Sequence, residues 1–331
     1  MSQQKTRESK VVASDLSARR RARSFRFGDV AIYVAFIGLF IVFTVSLKDV
    51  GNGFASIGNL LTILQQTSLI AVMAVGMAFV LGAAQIDLSI GSTVGLVSLV
   101  TALGISHFGL ILGIAGALLV GAAIGTLNGL IIAVLRIPAF LVTLGTMITV
   151  AGVSRTITNL QSIPITSPGF VFFFGGGNLA GIPIVAFWML GTVVVGHLIL
   201  EKTPTGRRVL ATGGNPRSAI YSGINTRRVV FGVMLASSLL ASLAGILWAG
   251  RFGGGWYSLG DGAELSVIAA TVLGGTSIFG GVASVIGAAL GAVMIGMIDN
   301  ALVLYGLNVY QQEIIRGIII VVAVIITTRR S

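Results

Sequence analysis

From Ala31 to Ile326 the sequence is a succession of apolar runs, most of them near 20 residues, broken by short polar or Gly/Pro segments. A helix of about 20 residues spans the hydrocarbon core of a bilayer, so run length alone directs the chain into a membrane. Its 331 residues would otherwise suggest two soluble domains. However, 55% hydrophobic residues, 9% charged residues and a mean hydropathy of +1.00 lie outside the globular range. The expected fold class is an all-α integral membrane protein.

Ten spans are read from these runs. The first is Ala31 to Leu47, and Phe54 to Gln66 reads as an amphipathic lead-in to the second, Thr67 to Ala83. The third is Leu88 to Ile105, the fourth Phe108 to Leu135, the fifth Ala139 to Thr156 and the sixth Ile184 to Leu200. A Pro/Gly/Phe loop separates the last two. The seventh is Val229 to Gly250, the ninth Val282 to Leu304 and the tenth Gln311 to Ile326. The eighth, Glu264 to Leu273, is too short to cross unaided. Its flanks, Asp261 to Leu265 and the run Gly274, Gly275, Thr276, Ser277, mark a broken or re-entrant helix, tolerated only where protein or water satisfies the backbone. Among the 46 glycines, Gly121, Gly125 and Gly129 at spacing four, with Gly287 and Gly291, fit close helix crossings.

Lysine and arginine set the orientation. Residues 1–30 form a basic tail carrying Lys5, Arg7, Lys10, Arg19, Arg20, Arg21, Arg23 and Arg26. Residues 201–228 hold six basic residues, residues 329–331 hold two, and Arg136 lies in another inner turn. With the tail cytoplasmic and ten crossings in residues 31–328, 17 of the 21 basic residues fall inside and both termini are cytoplasmic. Topology therefore accounts for the net charge of +11, and nucleic acid is not an expected partner. Asn128, Gly129, Leu130 and Gly145 match Asn300, Ala301, Leu302 and Gly317 at a shift of 172 residues. A genuine repeat would be inverted, as in many transporters; chance similarity between glycine-rich helices is the competing reading.

The chemistry open to the chain is narrow. There is no cysteine, hence no disulfide, thiolate metal site or cysteine nucleophile. No G-x-x-x-x-G-K-[ST] occurs, and the four lysines are Lys5, Lys10, Lys48 and Lys202, so a phosphate-binding loop cannot be built. His107 and His197 lie at opposite helix ends without carboxylates, which argues against a metal site. The few charges at membrane depth are costly and so are candidates. Asp87 either caps the third span or lines a polar gate. Asp299 either touches a polar solute or bonds between helices, and Glu313 and Arg316 pair on one helical face.

The inner loop departs from the apolar pattern in a structured way. Asn215 is a good N-cap, Pro216 suits the first helical position, and Gly223 can take the left-handed conformation that ends a helix. A short helix along the cytoplasmic surface is expected, either as a docking element for a soluble partner or as a plain interfacial helix.

Several stretches together resemble the sugar-type permease subunits of bacterial ABC importers, as in ribose, galactose, xylose and arabinose systems. Ile86-Asp87-Leu88-Ser89-Ile90-Gly91-Ser92 is similar to that family's Ile-Asp-Leu-Ser-Val-Gly-Ser, and Leu141 to Met147 to its Val-Thr-Leu-Gly-Thr-Met. Gly213-Gly214-Asn215-Pro216 through Ser222-Gly223-Ile224-Asn225 resembles its cytoplasmic signature, and Val272 to Ser277 followed by Gly280-Gly281 resembles another motif. Ala84-Gln85 stands where the family commonly has paired glycines. The resemblance implies a non-catalytic permease of the bacterial cytoplasmic (inner) membrane, working as a homodimer or heterodimer among membrane lipid. It implies an extracytoplasmic sugar-binding protein that delivers a ribose-like monosaccharide and a separate ABC ATPase that carries ATP and Mg; this chain holds no cofactor and no metal. It assigns the ATPase contact to Gly213, Gly214, Asn215, Pro216, Arg217, Ser218, Ala219 and Gly223. Asp87, Ser89, Asn128 and Asn300 are candidates for the solute path, because a sugar needs hydrogen-bond partners. The alternatives are a related permease for autoinducer, nucleoside or branched-chain amino acid, a proton-coupled secondary transporter, and a membrane scaffold.

Overall fold

The computed structural model describes residues 32–51 and 53–328, with side chains to residue 319; the basic tail and residues 329–331 lie outside them. The helices are α1 (Ile32–Ser46), α2 (Ile57–Gly82), α3 (Ile90–Phe108), α4 (Leu110–Leu135), α5 (Ala139–Thr158), α6 (Pro168–Val171) and α7 (Ile184–Lys202). They continue as α8 (Pro204–Gly214), α9 (Pro216–Tyr221), α10 (Thr226–Phe252), α11 (Ala263–Leu273), α12 (Val285–Leu304) and α13 (Val309–Thr328). Four two-residue strands form two small antiparallel ladders, β1 (Ile163–Pro164) with β4 (Gly254–Gly255) and β2 (Asn178–Leu179) with β3 (Ile182–Pro183). The chain is all-α. Among the described residues, α2, α3, α4, α5, α7, α10 and α12 are long and apolar enough to cross a membrane. The ten expected spans are reached only when α1, α11 and α13 are added.

The amphipathic lead-in expected at Phe54 to Gln66 is not a separate element. Ile57–Gly82 is one helix of 26 residues, and Gln65 and Gln66 sit inside it, where the Arg251 guanidinium donates to the Gln65 carbonyl at 3.4 Å. Nothing in this stretch breaks a helix, since it contains no proline. At about 1.5 Å per residue it is longer than the roughly 30 Å hydrocarbon core, so tilt or projection takes up the excess.

Packing ranks the helices. The most apolar stretch of α2 is 78% buried inside the protein, whereas those of α5 and α7 are 17% and 22% buried. α2 is thus the central rod, and α5 and α7 turn wide apolar faces outward. α10 lies against α2, α3 and α4, and α12 against α2 and α11. The spacing-four glycines of α4 form the α10 contact: a Cβ on Gly125 would come within 2.9 Å of the Leu235 Cα, and one on Gly129 within 3.2 Å of the Phe231 Cα. Gly287 and Gly291 likewise meet the α11 backbone at Gly274 and Ala270. Small residues at these crossings let dispersion contacts form backbone to backbone, the main source of helix association in lipid.

Contacts sort the connections onto two faces. On one, the Gly281 N–H donates to the Gly82 carbonyl at 3.0 Å, and the Thr143 hydroxyl donates to the Ile86 carbonyl at 3.2 Å. Gln85, Arg136 to Pro138 and Thr226 surround one small depression on that face. On the other, β1 pairs with β4, Arg155 stands 4.0 Å from Asp261 above the Tyr257 ring, and the Tyr305 hydroxyl donates to Ser46 at 2.8 Å. The loop expected between the fifth and sixth spans belongs to this second face and is well organised. Buried Phe170 stacks on Phe174, Phe174 on Trp188, and the Trp188 indole donates to the Phe173 carbonyl at 2.9 Å. α11 leads from the second face toward the first with only 11 helical residues, about half of a bilayer core. The unwound segment from Gly274 to Ser284 completes the path, which is the broken helix read from the flanking glycines.

Candidate translocation and coupling site

Five of the polar side chains at membrane depth form a single chain of hydrogen bonds. The Ser89 N–H and hydroxyl donate to Asp87 Oδ1 at 3.0 and 2.6 Å, and the Ser237 hydroxyl donates to Asp87 Oδ2 at 2.9 Å. Asn128 Nδ2 donates to the Ser89 oxygen at 3.0 Å, and the Thr146 hydroxyl donates to Asn128 Oδ1 at 2.6 Å. Asp87, Ser89, Asn128 and Ser237 are buried, and half-buried Thr146 is where the chain approaches the surface. The local sequence explains the placement. α2 ends at Gly82, Ala84 takes a left-handed φ of +57°, and the chain has no regular structure from Gln85 to Leu88 before α3 starts at Ile90. Glycine is the residue best suited to such a left-handed conformation, and here alanine holds it.

Asp87 does not occupy the N-cap of α3. Ser89 does, without a side-chain cap bond, while Asp87 closes a local turn and ties it to α10. Both of its oxygens accept, and the network joins the α2–α3 turn, α4, α5 and α10 through side chains whose polar groups have partners. An unmet polar group in an apolar interior costs on the order of 1–3 kcal/mol, so the network stays formed unless something replaces its bonds.

Asn300 is not part of this network. On α12 it exchanges two hydrogen bonds with Asn59 of α2, at 3.0 and 2.9 Å. The proposed sequence match between Asn128 and Asn300 therefore joins residues with different surroundings. The expected pair of Glu313 with Arg316 is replaced: Arg316 reaches across to Asp299 of α12, at 3.1 Å from Nη2 to Oδ2 and 3.4 Å from Nε to Oδ1. A forked guanidinium meets two carboxylate oxygens better than one partner on its own helix allows. On the second face, burial pushes the Asp261 carboxyl above the usual carboxylate range, and the neighbouring Arg155 opposes this.

On the first face, an elbow is built from α8 and α9. Asn215 accepts from the Ser218 N–H at 3.0 Å as N-cap of α9, Pro216 sits at the first helical position, and Gly223 takes φ +79°. The Gly223 N–H donates to Ile220 and the Ile224 N–H to Ala219, which closes the helix with a left-handed glycine. Gly214, Arg217 and Ser218 are exposed, Ala219 is buried beneath them, and the tip presents Ile220 and Tyr221, the latter 89% exposed. Gly213 is the seat of the elbow. A Cβ there would overlap the Gly82 carbonyl and stand 2.9 Å from the Gly281 nitrogen. Backbone thus meets backbone at the α8 end, the α2 end and the segment after α11. α8, Thr146 and Ser237 were missed by sequence reasoning. Thr203-Pro204 is the start signal that reveals α8. Thr146 lies in a stretch already singled out for resemblance, and Ser237 in an apolar span has no signal of its own.

Among the described residues no three His, Cys, Asp or Glu side chains converge as a metal site would need. The polar groups present can bind and orient by hydrogen bonding, and the elbow leaves its tip exposed.

A family model described as branched-chain amino acid transport system / permease component matches residues 59–324. The chain is similar to the ribose import permease protein RbsC of Escherichia coli (strain K12), with 38% identity over 88% of this chain and 92% of the relative. It is also 38% identical to RbsC of Haemophilus influenzae, over 88% of this chain and 91% of the relative. With the L-arabinose ABC transporter permease protein AraH of Azospirillum brasilense it shares 36% over 89% and 86%. No solved structure gave a significant match. A family match across most of the described helices, relatives covered nearly end to end, and a stack of long apolar helices lead to one conclusion: this chain is a multi-pass membrane protein of the ABC transporter permease family.

Proposed function

We propose that this chain is the permease subunit of an ATP-driven importer whose cargo is a ribose-like monosaccharide. The observation that carries the reading is the 38% identity to ribose import permeases over almost the full length of both chains. The family description names branched-chain amino acids, but the relatives cited are named for ribose and arabinose. The membrane is the bacterial inner membrane, with ten crossings and both termini in the cytoplasm. The face bearing α8 and α9 then looks inward, and the face bearing β1, β4 and Asp261 receives the solute-binding protein. The permease works as a dimer with a separate ABC ATPase, on which ATP and Mg reside.

In this mechanism the ATPase grips the exposed tip of α9. Closure on ATP displaces α8, whose Gly213 meets Gly82 at the end of α2 and Gly281 in the segment after α11 backbone to backbone. The α2–α3 turn carries Asp87, so its movement reaches α4, α5 and α10 through the hydrogen-bonded network. The pathway then switches between outward and inward openings, a two-state change driven by differential binding of nucleotide and cargo. Thr146 and Asn128 are the groups of the network best placed to exchange a bond with a sugar hydroxyl.

The test is reconstitution into proteoliposomes with the partner ATPase and binding protein, assayed over a panel of sugars, nucleosides and branched-chain amino acids. ATP hydrolysis and uptake are expected to rise with ribose or a close relative, and the permease alone is expected to hydrolyse nothing. Stimulation by leucine and not by any sugar would overturn the cargo. A cysteine at Ser218 labelled from outside intact cells, with one at Asn178 protected, would overturn the orientation.

A further inference from the structure

A second site lies away from the polar network. Between α7 and α10 the helices separate, leaving an open cleft of about 1090 Å³ whose floor is α2 at Val75 and Phe79. Its walls are almost wholly apolar, and it runs along α7 from Ile184 to Ile199, roughly 22 Å at 1.5 Å per residue. At one end only it turns basic: Arg208 of α8 and Arg228 of α10 both line it, beside Gly223 and the elbow. No carboxylate lines the cleft, and among the described residues neither arginine has an ion-pair partner.

Small-ligand pockets are usually about 300–1,000 Å³ and carry convergent polar groups. This cleft is larger, elongated and nearly without such groups along its length, so a sugar would leave its hydroxyls unmet there. A second copy of the chain would have to bring acidic groups to two arginines. A long apolar trough with a basic end at the membrane surface matches a molecule with acyl chains and an anionic head. We propose that the α7–α10 cleft is a seat for an anionic phospholipid, with its phosphate head at Arg208 and Arg228 and its chains along α7 and α10. The lipid head would then touch the hinge between α9 and α10. The site is independent of which solute is carried.

Two glycines make the proposal testable without disturbing the fold. Gly191 on one wall and Gly232 on the other both line the cleft, and an added Cβ at either meets nothing within 4 Å. Purified, delipidated permease in mild detergent is titrated with dioleoyl-phosphatidylglycerol or dioleoyl-phosphatidylcholine and read by native mass spectrometry. The two lipids share chains, so the difference reports the head group. Phosphatidylglycerol should saturate one site at about tenfold lower concentration, the scale expected of basic side chains facing an anionic head. The double variant Arg208→Gln with Arg228→Gln should lose that preference, Gly191→Phe should lose both lipids, and Arg136→Gln, outside the cleft, should behave as wild type. All variants are checked for an unchanged unfolding midpoint. Equal binding of the two lipids to wild type, or a preference that survives both the arginine and the Gly191 changes, overturns the proposal. So does efficient disulfide dimerisation in membranes of a variant with Val195→Cys as its sole cysteine, which would show a second copy in the cleft.

Discussion

The Asp87 network and the α8–α9 elbow are both polar interruptions of an apolar chain, yet they satisfy their polar groups in opposite ways. Around Asp87 the bonds are side chain to side chain and cross between elements, and four of the five residues are buried. In the elbow the bonds are local caps within a few residues, and the side chains at the tip are left over for something else. A polar residue at membrane depth is therefore first a structural tie, whereas one at the elbow tip is left exposed, which under the proposed function makes it a handle. Loss of a tie should appear as lost stability, and loss of a handle as lost coupling at constant stability.

The largest effect is expected at the tie. Asp87→Ala leaves the Ser89 N–H and the Ser237 hydroxyl without an acceptor, and about 3 kcal/mol or more of stability should disappear. Asp87→Asn keeps one acceptor oxygen and should lose clearly less. Chemical unfolding in mild detergent measures both, and equal losses would mean that shape alone holds the turn. Gly213→Val comes next. Its side chain must push aside the backbone at Gly82 and Gly281, a strain of about 1–3 kcal/mol, and solute-stimulated ATPase activity should fall to background in membranes with normal insertion. Gly223→Val has open space around it, so only the left-handed φ matters, at about 1–2 kcal/mol. Coupling should drop several-fold while the spans stay intact, and wild-type coupling would reduce the elbow to an interfacial helix. The smallest change in stability belongs to Tyr221→Ala, within about 0.5 kcal/mol as for other exposed sites. A matching fall in ATPase stimulation would separate handle from tie most cleanly.

The helices themselves were readable because a bilayer makes length and polarity decisive; α4, α7, α10 and α12 start and stop within three residues of the expected limits. The cap at Asn215 and the stop at Gly223 were readable because capping is local chemistry. The lead-in to α2 was misread, since two glutamines lower hydropathy without breaking a helix. The partner of Arg316 was misread for a different reason: sequence spacing shows neighbours on one helix and not the carboxylate that another helix brings. Asp87, Ser89 and Asn128 were grouped with Asn300 as candidates for the solute path, but the union of the first three with Thr146 and Ser237 depends on α4, α5 and α10 meeting at one level. Asn300 shared their chemistry and not their place, which is set by the contact of α12 with α2.

The meeting of Gly82, Gly213 and Gly281 has a mechanical consequence. Long side chains between two helices act as springs, absorbing small displacements by changing rotamer. Bare backbone has no such slack, so the three strands of chain behave as a fulcrum. In the proposed mechanism a tilt of α8 would pass through this contact to the central rod of the bundle and to the half-length helix α11. Asp87 stands five residues from that fulcrum. If the proposed orientation holds, a short stroke at the α8–α9 face would have a direct route to the Asp87 network.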